Sequence, residues 1–234
     1  MKIKIAELNV DIANRGKYIE KLSEKYIADF TVPDISIQVS NEEIEAERTA
    51  TEGKFSTGYC EATAAYRKIG YLLPNFDAFI LHGATFRIKN RGIAFLAASG
   101  TGKSRHMQNW ISLFGEQIEV VNGDKPIIRF KDNLPFAYGT PWCGKESLSN
   151  NTSVRLTDIC FIVRGKENKT RLLSKEDITL KLLNQVVIPK GSENIVKTLE
   201  LIDRMVKHCN VWEIKCTADV SSAEVSSKVI LEVD

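Results

Sequence analysis

A glycine-rich segment, "AASGTGKS" at residues 97–104, has the residue types and spacing of a phosphate-binding loop. Glycines at positions 100 and 102 let successive backbone N–H groups turn toward an anion, and a helix beginning near Lys103 directs its positive dipole end at the same point. The Lys103 ammonium would reach the β- and γ-phosphates of a nucleotide, and the Ser104 hydroxyl would ligate Mg²⁺. The alternative is a glycine-rich turn with a solvated lysine. The residues predicted to bind the nucleotide are Ser99, Gly100, Thr101, Gly102, Lys103, Ser104 and Arg105.

A phosphate site of this kind needs an acid that holds the metal, and Asp124 is the candidate. It follows the apolar run Ile118, Val120 and Val121, which predicts a buried strand over residues 118–124. At the end of that strand its carboxylate can face the Mg²⁺ bound by Ser104. The alternative is that "NGD" at residues 122–124 is an ordinary turn.

The elements around these residues indicate an α/β protein with a mixed sheet. Apolar runs at residues 77–88 and 93–98 predict two buried strands joined by a hairpin, and residues 104–114 predict an amphipathic helix. Further along, the patterns predict a pair of strands at 125–139 around a turn at Asp132-Asn133, strands at 158–165 and 211–216, and helices at 174–188, 194–209 and 222–233. Residues 76–234 are therefore predicted to form the main domain.

The first 75 residues have a different texture, and we predict that they form a small N-terminal lobe packed on the main domain. Alternating apolar residues at 2–10 and 34–40 predict half-buried strands, and residues 15–26 between them have helical spacing, which together favour a β-α-β unit. A longer helix is predicted to begin at a cap on Ser56 or Thr57 and to end near Leu72, before Pro74.

Composition limits the class of partner. The 234 residues carry a formal charge of +2, which does not favour a dedicated nucleic-acid binder, and no apolar run is long enough for a signal peptide or a membrane span. The five cysteines have no metal-ligand spacing and are read as reduced thiols. We expect a cytoplasmic protein whose partner is a nucleotide, with neither nucleic acid nor membrane involved.

Residues 81–104, "LHGATFRIKNRGIAFLAASGTGKS", resemble the core of the HPr kinase/phosphorylase and PEP-carboxykinase-like P-loop kinases. His82-Gly83 and residues 99–104 carry the match, and Asp124 lies where that family places its metal-binding acid. Through "VVNGDKPIIR" and "YGTPWCGKE" the likeness extends to short HPr-kinase-like proteins, and it covers roughly residues 79–156.

The resemblance implies a PEP-carboxykinase-like nucleotide-binding core and ATP-dependent phosphoryl transfer to a hydroxyl group, with Mg²⁺ or Mn²⁺ bridging the phosphates. By the same resemblance, Lys103 and Ser104 hold phosphate and metal, Asp124 holds the metal, and His82 lies near the transferred phosphoryl group. HPr kinases assemble into rings, so a homo-oligomer is left open, although the matched residues do not carry that property.

One departure from the family concerns the general base. The family places two adjacent aspartates at the strand end, whereas this chain has Gly123-Asp124. The first aspartate is thought to accept the hydroxyl proton, so here either Asp124 does both jobs or His82 takes the proton. The first hypothesis is a kinase acting on a hydroxyl of a small molecule or peptide; the alternative is a nucleotide-binding sensor that lacks efficient transfer.

Several weaker candidates surround this set. Residues 139–151 have the composition of a binding loop, with Trp142 either at the site or anchoring an Ω-loop, and Lys145 and Arg155 could neutralise phosphate charge. Cys143 is interpreted as an incidental thiol. Arg105 and His106 lie on the first turn after the glycine loop, where they either meet a ligand or are solvated.

Overall fold

The N-terminal segment folds as a hairpin followed by a parallel crossover. The computed structural model describes residues 1–98, 100–175 and 178–232. Strands β1 (Lys2–Ile5) and β2 (Leu8–Ala13) pair antiparallel, and after helix α1 (Lys17–Leu22) strand β3 (Ile35–Gln38) pairs parallel to β2. The predicted single strand over residues 2–10 is two strands, because the chain reverses at Ala6 and Glu7, both with positive φ. The predicted β-α-β unit is confirmed as β2, α1 and β3.

Two capped helices complete this segment. Helix α2 (Asn41–Ala50) begins with a capping box between Ser40 and Glu43, and α3 (Thr57–Leu72) begins where the Ser56 hydroxyl accepts a hydrogen bond from the Tyr59 backbone N–H. The predicted Ser56 cap and the end at Leu72 are thus confirmed. The apolar side of α3 packs in one cluster with the first sheet and with Ile80, Ile127 and Trp142.

The rest of the chain builds a curled mixed sheet, which confirms the α/β class. Its strands are β4 (Ala78–Ile80), β5 (Ala84–Ile88), β6 (Arg91–Leu96), β7 (Ile118–Asn122), β8 (Ile127–Lys131), β9 (Leu134–Tyr138), β10 (Ser153–Arg164), β11 (Lys169–Leu172) and β12 (Asn210–Cys216). The strand order runs β4-β8-β9-β10-β6-β5-β7, and β12 lies on the other side of β10 with β11 at its edge. The long β10 makes the sheet curl: its first residues pair antiparallel with β9, and its later residues run parallel to β6 and β12.

Helices cover both faces of the part of the sheet built on β6, β10 and β12. Helices α4 (Lys103–Phe114) and α7 (Ser221–Leu231) pack on one face. There Trp110 of α4 contacts Phe86 of β5 and Phe95 of β6. On the other face lie α5 (Ile178–Leu183) and α6 (Ser192–His208), through Ile202 and Met205. Burial on both faces explains the near-continuous apolar run of β6.

The structure corrects two predicted elements and confirms others. The predicted strand over residues 77–88 is divided into β4 and β5, because residues 81–83 leave one part of the sheet and enter another. The helix predicted over 174–188 is limited to α5, and residues 176 and 177 lie outside the described part of the chain. The β5–β6 hairpin and the β8–β9 hairpin around Asp132-Asn133 are as predicted.

All five cysteines are buried and free. Among the helices of the described residues, none has the length and apolar character needed to cross a bilayer.

Candidate functional site

The glycine loop, residues 97–102, joins the end of β6 to the start of α4. Gly100 and Gly102 have φ of 75° and 121°, backbone conformations that residues other than glycine rarely adopt, so the shape of the loop depends on these two residues. Within the described residues no side chain caps the N-terminus of α4, which leaves its first N–H groups open to an anion. Ser99, predicted to bind the nucleotide, lies outside the described residues.

Arg164, at the end of β10, holds the glycine loop from outside. Its guanidinium donates to the Thr101 carbonyl at 3.1 Å and also to the Gly100 carbonyl. Both acceptors are backbone atoms, so the contact fixes the direction of the loop carbonyls. Nothing in the sequence near residue 164 indicates this role, because the partners are about sixty residues apart.

We expect Arg164→Met to weaken nucleotide binding by about fivefold to tenfold, since the loop would lose two charge-assisted hydrogen bonds that preorganise it. Isothermal titration with ATP and Mg²⁺ measures the change. Arg48→Met, which removes an exposed arginine paired with Glu45 on α2 and lying outside the two cavities that the glycine loop borders, is the matched control. Equal affinity in both variants would show that the loop keeps its shape without Arg164.

The turn that carries Asp124 is fixed by Asn122, the last residue of β7. The buried Asn122 amide oxygen accepts hydrogen bonds from the backbone N–H groups of Asp124, at 2.9 Å, and Lys125, at 2.6 Å. Its amide nitrogen donates to the Thr140 carbonyl at 3.0 Å. The predicted alternative of a turn at residues 122–124 is therefore correct for the backbone, and this turn still presents the Asp124 carboxylate to the glycine loop.

Three basic groups converge on that carboxylate. Lys103 Nζ donates to Asp124 Oδ1 at 2.8 Å, and His82 Nε2 lies 3.1 Å from the same oxygen. The Lys125 ammonium contacts the other oxygen, Oδ2. The side chains of Lys103 and Asp124 are only 10% and 17% exposed, so solvent screens their interaction weakly.

These contacts shift the pKa values of both partners. Burial raises the pKa of Asp124, but the hydrogen bond from His82 and the charges of Lys125 and Lys103 outweigh it and hold the pKa well below the usual range. Burial lowers the pKa of Lys103, and Asp124 partly opposes that effect. At neutral pH the Asp124 carboxylate is therefore firmly ionised.

Backbone hydrogen bonds place His82 against Asp124. The crossover between β4 and β5 runs beside the residues that follow β7: Leu81 N–H donates to the Pro126 carbonyl at 3.0 Å, and Gly83 N–H donates to the Asp124 carbonyl at 2.9 Å. This pairing explains why the predicted strand over 77–88 is interrupted. The interruption brings a histidine to the loop that holds the acid.

A covering loop, residues 139–151, closes over the Asp124 turn. Trp142 anchors it by donating its indole N–H to the Ala62 carbonyl on α3 at 2.9 Å, and Tyr26 contacts Ser149. Gly144, with φ of 79°, lies so close to Asp124 that an added Cβ would be 3.1 Å from the Asp124 Cβ. Trp142 therefore anchors the loop, and the loop also borders the cleft; its part in binding stays a prediction.

The covering loop accounts for Gly123. Its N–H donates to the Leu148 carbonyl at 2.8 Å, and a Cβ at this position would be 3.1 Å from the Cys143 carbonyl oxygen and 3.3 Å from that of Leu148. An aspartate would direct its carboxylate toward two carbonyl oxygens. The covering loop therefore packs closely on position 123, where the second acid of the family pattern is replaced by glycine.

We expect Gly123→Asp to lower the free energy of unfolding by about 2–4 kcal/mol, because it adds volume and an unpaired charge beneath the covering loop. Gly123→Ala adds the Cβ alone and should cost about 1 kcal/mol. Urea unfolding followed by tryptophan fluorescence measures both. If Gly123→Asp is as stable as the wild type and transfers phosphate faster, position 123 is open to a second acid.

The site opens into a cleft with a volume of about 860 Å³, and its wall includes the glycine loop, the covering loop and the side of α3. Four basic side chains, Lys103, Arg105, Lys125 and Lys145, line it against two acidic ones, Asp124 and Glu146. This excess of positive charge suits an anionic ligand.

The structure gathers most of the predicted site residues at this cleft. His82, Gly100, Gly102, Lys103, Ser104, Arg105, Asp124 and Lys145 line it. His106 does not, because its ring is buried between α4 and α7 with both nitrogens 3.2 Å from the Ser222 and Ser226 hydroxyls. Arg155 lies on β10 opposite Phe136 and is not part of the cleft wall.

Cys143 lines the cleft, but burial raises the pKa of its thiol. A raised pKa makes the thiol less reactive, which favours an incidental cysteine over a nucleophile.

The described residues contain no cluster of three or more His, Cys, Asp or Glu side chains that could hold a metal by themselves. Mg²⁺ in nucleotide sites takes only one or two protein ligands and completes its shell with phosphate oxygens and water. The ionised Asp124 carboxylate and the Ser104 hydroxyl on the same cleft wall fit such a metal.

No protein-family profile matches the chain, and no curated protein is significantly similar to it. Among solved structures, the HPr(Ser) kinase/phosphatase from Coxiella burnetii is a distant neighbour, with a TM-score of 0.36 and 10% sequence identity. The match covers 65% of this chain and 97% of the other.

Proposed function

We propose that this protein is an ATP-dependent phosphotransferase that moves the γ-phosphoryl group to a hydroxyl of a small molecule or peptide. The observation that supports it most directly is the convergence of Lys103 and His82 on the Asp124 carboxylate at the open N-terminus of α4. A lysine, an acid and a histidine at one helix N-terminus provide phosphate binding, metal binding and a proton acceptor.

The glycine loop binds the phosphates of ATP in this proposal. The first N–H groups of α4, which no side chain of the described residues caps, and the Lys103 ammonium would stabilise the negative charge, and Arg105 on the cleft wall would add to it. Because the Lys103 ammonium contacts the Asp124 carboxylate, it would exchange that carboxylate for phosphate oxygens when the nucleotide binds.

Ser104 and Asp124 would hold Mg²⁺ or Mn²⁺ together with the phosphates. When bound, the metal would neutralise negative charge on the β- and γ-phosphates.

His82 is the better of the two candidate bases. The hydrogen bonds and charges that hold the pKa of Asp124 low make its carboxylate a weak proton acceptor. An ionised carboxylate only accepts hydrogen bonds, so the tautomer of His82 that can act as a base donates its Nε2–H to Asp124 and has its lone pair on Nδ1. In the proposed step the acceptor oxygen bonds to the γ-phosphorus while the bond to the β,γ-bridging oxygen breaks. ADP leaves with that electron pair, and the hydroxyl proton passes to His82 Nδ1.

A nucleotide-binding sensor is the second candidate, and Gly123 is the observation that favours it. The covering loop occupies the space where a second acid would stand, and a protein without an efficient base would bind ATP and transfer phosphate slowly. The two candidates share the nucleotide site and differ in turnover.

The test is release of ADP from ATP with Mg²⁺ and a panel of hydroxyl acceptors, in the wild type and in His82→Gln. For the kinase we expect acceptor-dependent ADP release that falls about 10²–10³-fold in His82→Gln, with ATP affinity retained. His208→Gln, at an exposed histidine on α6, is the control and should keep full activity. ATP binding with no turnover on any acceptor would favour the sensor, and no ATP binding at all would refute both.

A further inference from the structure

The wall of the cleft opposite the glycine loop is made of aromatic side chains from the N-terminal segment. Tyr18 on α1 and Tyr59 and Tyr66 on α3, with Phe55 just before α3, line the same cavity as Lys103 and Asp124. We call these four residues the aromatic wall. The rings of Phe55 and Tyr59 are stacked with centroids 4.3 Å apart, and Tyr18 meets Tyr59 edge-on at 6.3 Å.

The aromatic wall exposes apolar surface inside a concave site. Phe55 is 39% exposed and Tyr18 is 43% exposed. Packing a ligand against these rings would remove their apolar surface from water, which is favourable. Exposed rings gathered in a concave site are typical of ligand contact surfaces, whereas scattered exposed apolar residues are not. The wall therefore suits a ligand with an apolar or aromatic group.

A second observation points to a ligand at the same wall. Tyr66 is only 5% exposed, it lines the cleft, and within the described residues its hydroxyl makes no hydrogen bond. The hydroxyl is the part of Tyr66 that reaches the cleft, since it is not one of the fully buried polar atoms without a partner among the described residues, and a phenolic hydroxyl can both donate and accept a hydrogen bond. Tyr66 thus offers a hydrogen bond at the base of the aromatic wall.

Lys125 connects the wall to the end of the phosphate site where transfer would occur. Its ammonium contacts Asp124 Oδ2 and lies 5.7 Å from the centre of the Tyr66 ring. Lys103, which would hold the terminal phosphates, contacts the other carboxylate oxygen. The aromatic wall consequently adjoins the γ-phosphate side of the site, and an acceptor oxygen must approach the γ-phosphorus from beyond that phosphate.

A separate cavity leaves room for the nucleoside elsewhere. It measures about 570 Å³, shares His82, Ala97 and Ala98 with the cleft, and is also lined by Asn184. Carboxamide side chains pair with the hydrogen-bonding edges of a base or with ribose hydroxyls. His82 stands where the two cavities meet.

We infer that the aromatic wall is the acceptor subsite and that the acceptor carries an apolar, preferably aromatic, group beside the hydroxyl that receives the phosphoryl group. The inference rests on the proposed function. In it the rings of Phe55, Tyr59 and Tyr18 hold the apolar group, and the Tyr66 hydroxyl donates a hydrogen bond to the acceptor oxygen.

The test measures two ligands separately on the wild type, on Phe55→Leu/Tyr59→Leu and on Tyr66→Phe. Saturation-transfer NMR with benzyl alcohol probes the aromatic wall, and ethanol, which has the hydroxyl but no ring, is the comparison ligand. Isothermal titration with ATP and Mg²⁺ probes the nucleotide site. Phe30→Leu, at an aromatic residue outside the cleft, is the matched control, and thermal melts verify that each variant is folded.

We expect the wild type to bind benzyl alcohol better than ethanol, and the double variant to lose about tenfold in benzyl alcohol affinity while its ATP affinity changes by less than about twofold. Tyr66→Phe should weaken benzyl alcohol binding by about threefold to tenfold, since the hydroxyl partner is lost. A wild type that does not prefer benzyl alcohol overturns the inference, as does unchanged affinity in the double variant. A tenfold loss of ATP affinity in the double variant also overturns it, because the wall would then hold the nucleoside. Failure of the proposed function is read separately, as a wild type that does not bind ATP.

Discussion

Asp124→Asn should abolish phosphoryl transfer, with a fall of about 10³-fold or more, because this substitution removes the carboxylate that is proposed to hold the metal and that orients His82 and Lys103. ATP binding without metal should be retained or tighter, since the same carboxylate repels phosphate. Coupled ADP-release assays and isothermal titration in EDTA separate the two effects. Equal loss of metal-free binding and of transfer would mean that Asp124 acts mainly in folding.

The same variant should be less stable than the wild type by about 2 kcal/mol at pH 7. Removing one partner leaves Lys103, His82 and Lys125 facing one another, and the cost stays below the ~3–5 kcal/mol of a fully buried pair because Asp124 keeps 17% exposure. The pKa of Asp124 is lowered in the folded state, so its contribution is complete above the ordinary aspartate pKa and declines as the pH falls below that value. Urea midpoints measured from pH 7 downward should therefore converge for the two proteins, and a constant difference would contradict this.

Lys103→Met should lower ATP affinity by about 100-fold and transfer by about 10³-fold, because the ammonium supplies charge-assisted contacts to the terminal phosphates in both the bound and transition states. Isothermal titration and the ADP-release assay measure the two losses. Lys228→Met, at an exposed position on α7, makes the same charge change elsewhere and should leave both unchanged. Unaltered ATP affinity in Lys103→Met would refute the glycine loop as the phosphate site.

Stability should respond differently to Lys103→Met than to Asp124→Asn. Burial disfavours the Lys103 ammonium, while Asp124 keeps His82 and Lys125 as partners, so the free energy of unfolding should change by less than about 1 kcal/mol. The pKa of Lys103 is lowered in the folded state, so wild-type stability gains from its deprotonation as the pH rises through that pKa toward the ordinary lysine value. Lys103→Met lacks this gain, and comparing alkaline urea titrations of the two proteins measures it.

The sequence by itself determined the local elements that carry the candidate site. Alternating and continuous apolar runs predicted β6 and β7, glycines predicted the loop between β6 and α4, and Ser56 predicted the start of α3. These features depend on neighbouring residues, since backbone sterics, helix capping and side-chain periodicity act over a few positions. The roles of Lys103, Ser104 and Asp124 in nucleotide chemistry stay predictions.

Only the tertiary structure decided which residues meet at the cleft. Arg164 reaches the glycine loop from β10, Trp142 is tied to α3, and the aromatic wall comes from a segment that carries no recognisable motif. The rejection of His106 and Arg155 is of the same kind, because the side of an element that faces the site is set by packing. Likewise, the sequence shows only that Gly123 departs from the family pattern. The fold shows that this glycine lies in close contact with the covering loop. Contacts between residues tens of positions apart are fixed by burying one shared set of apolar surfaces, and no local pattern encodes them.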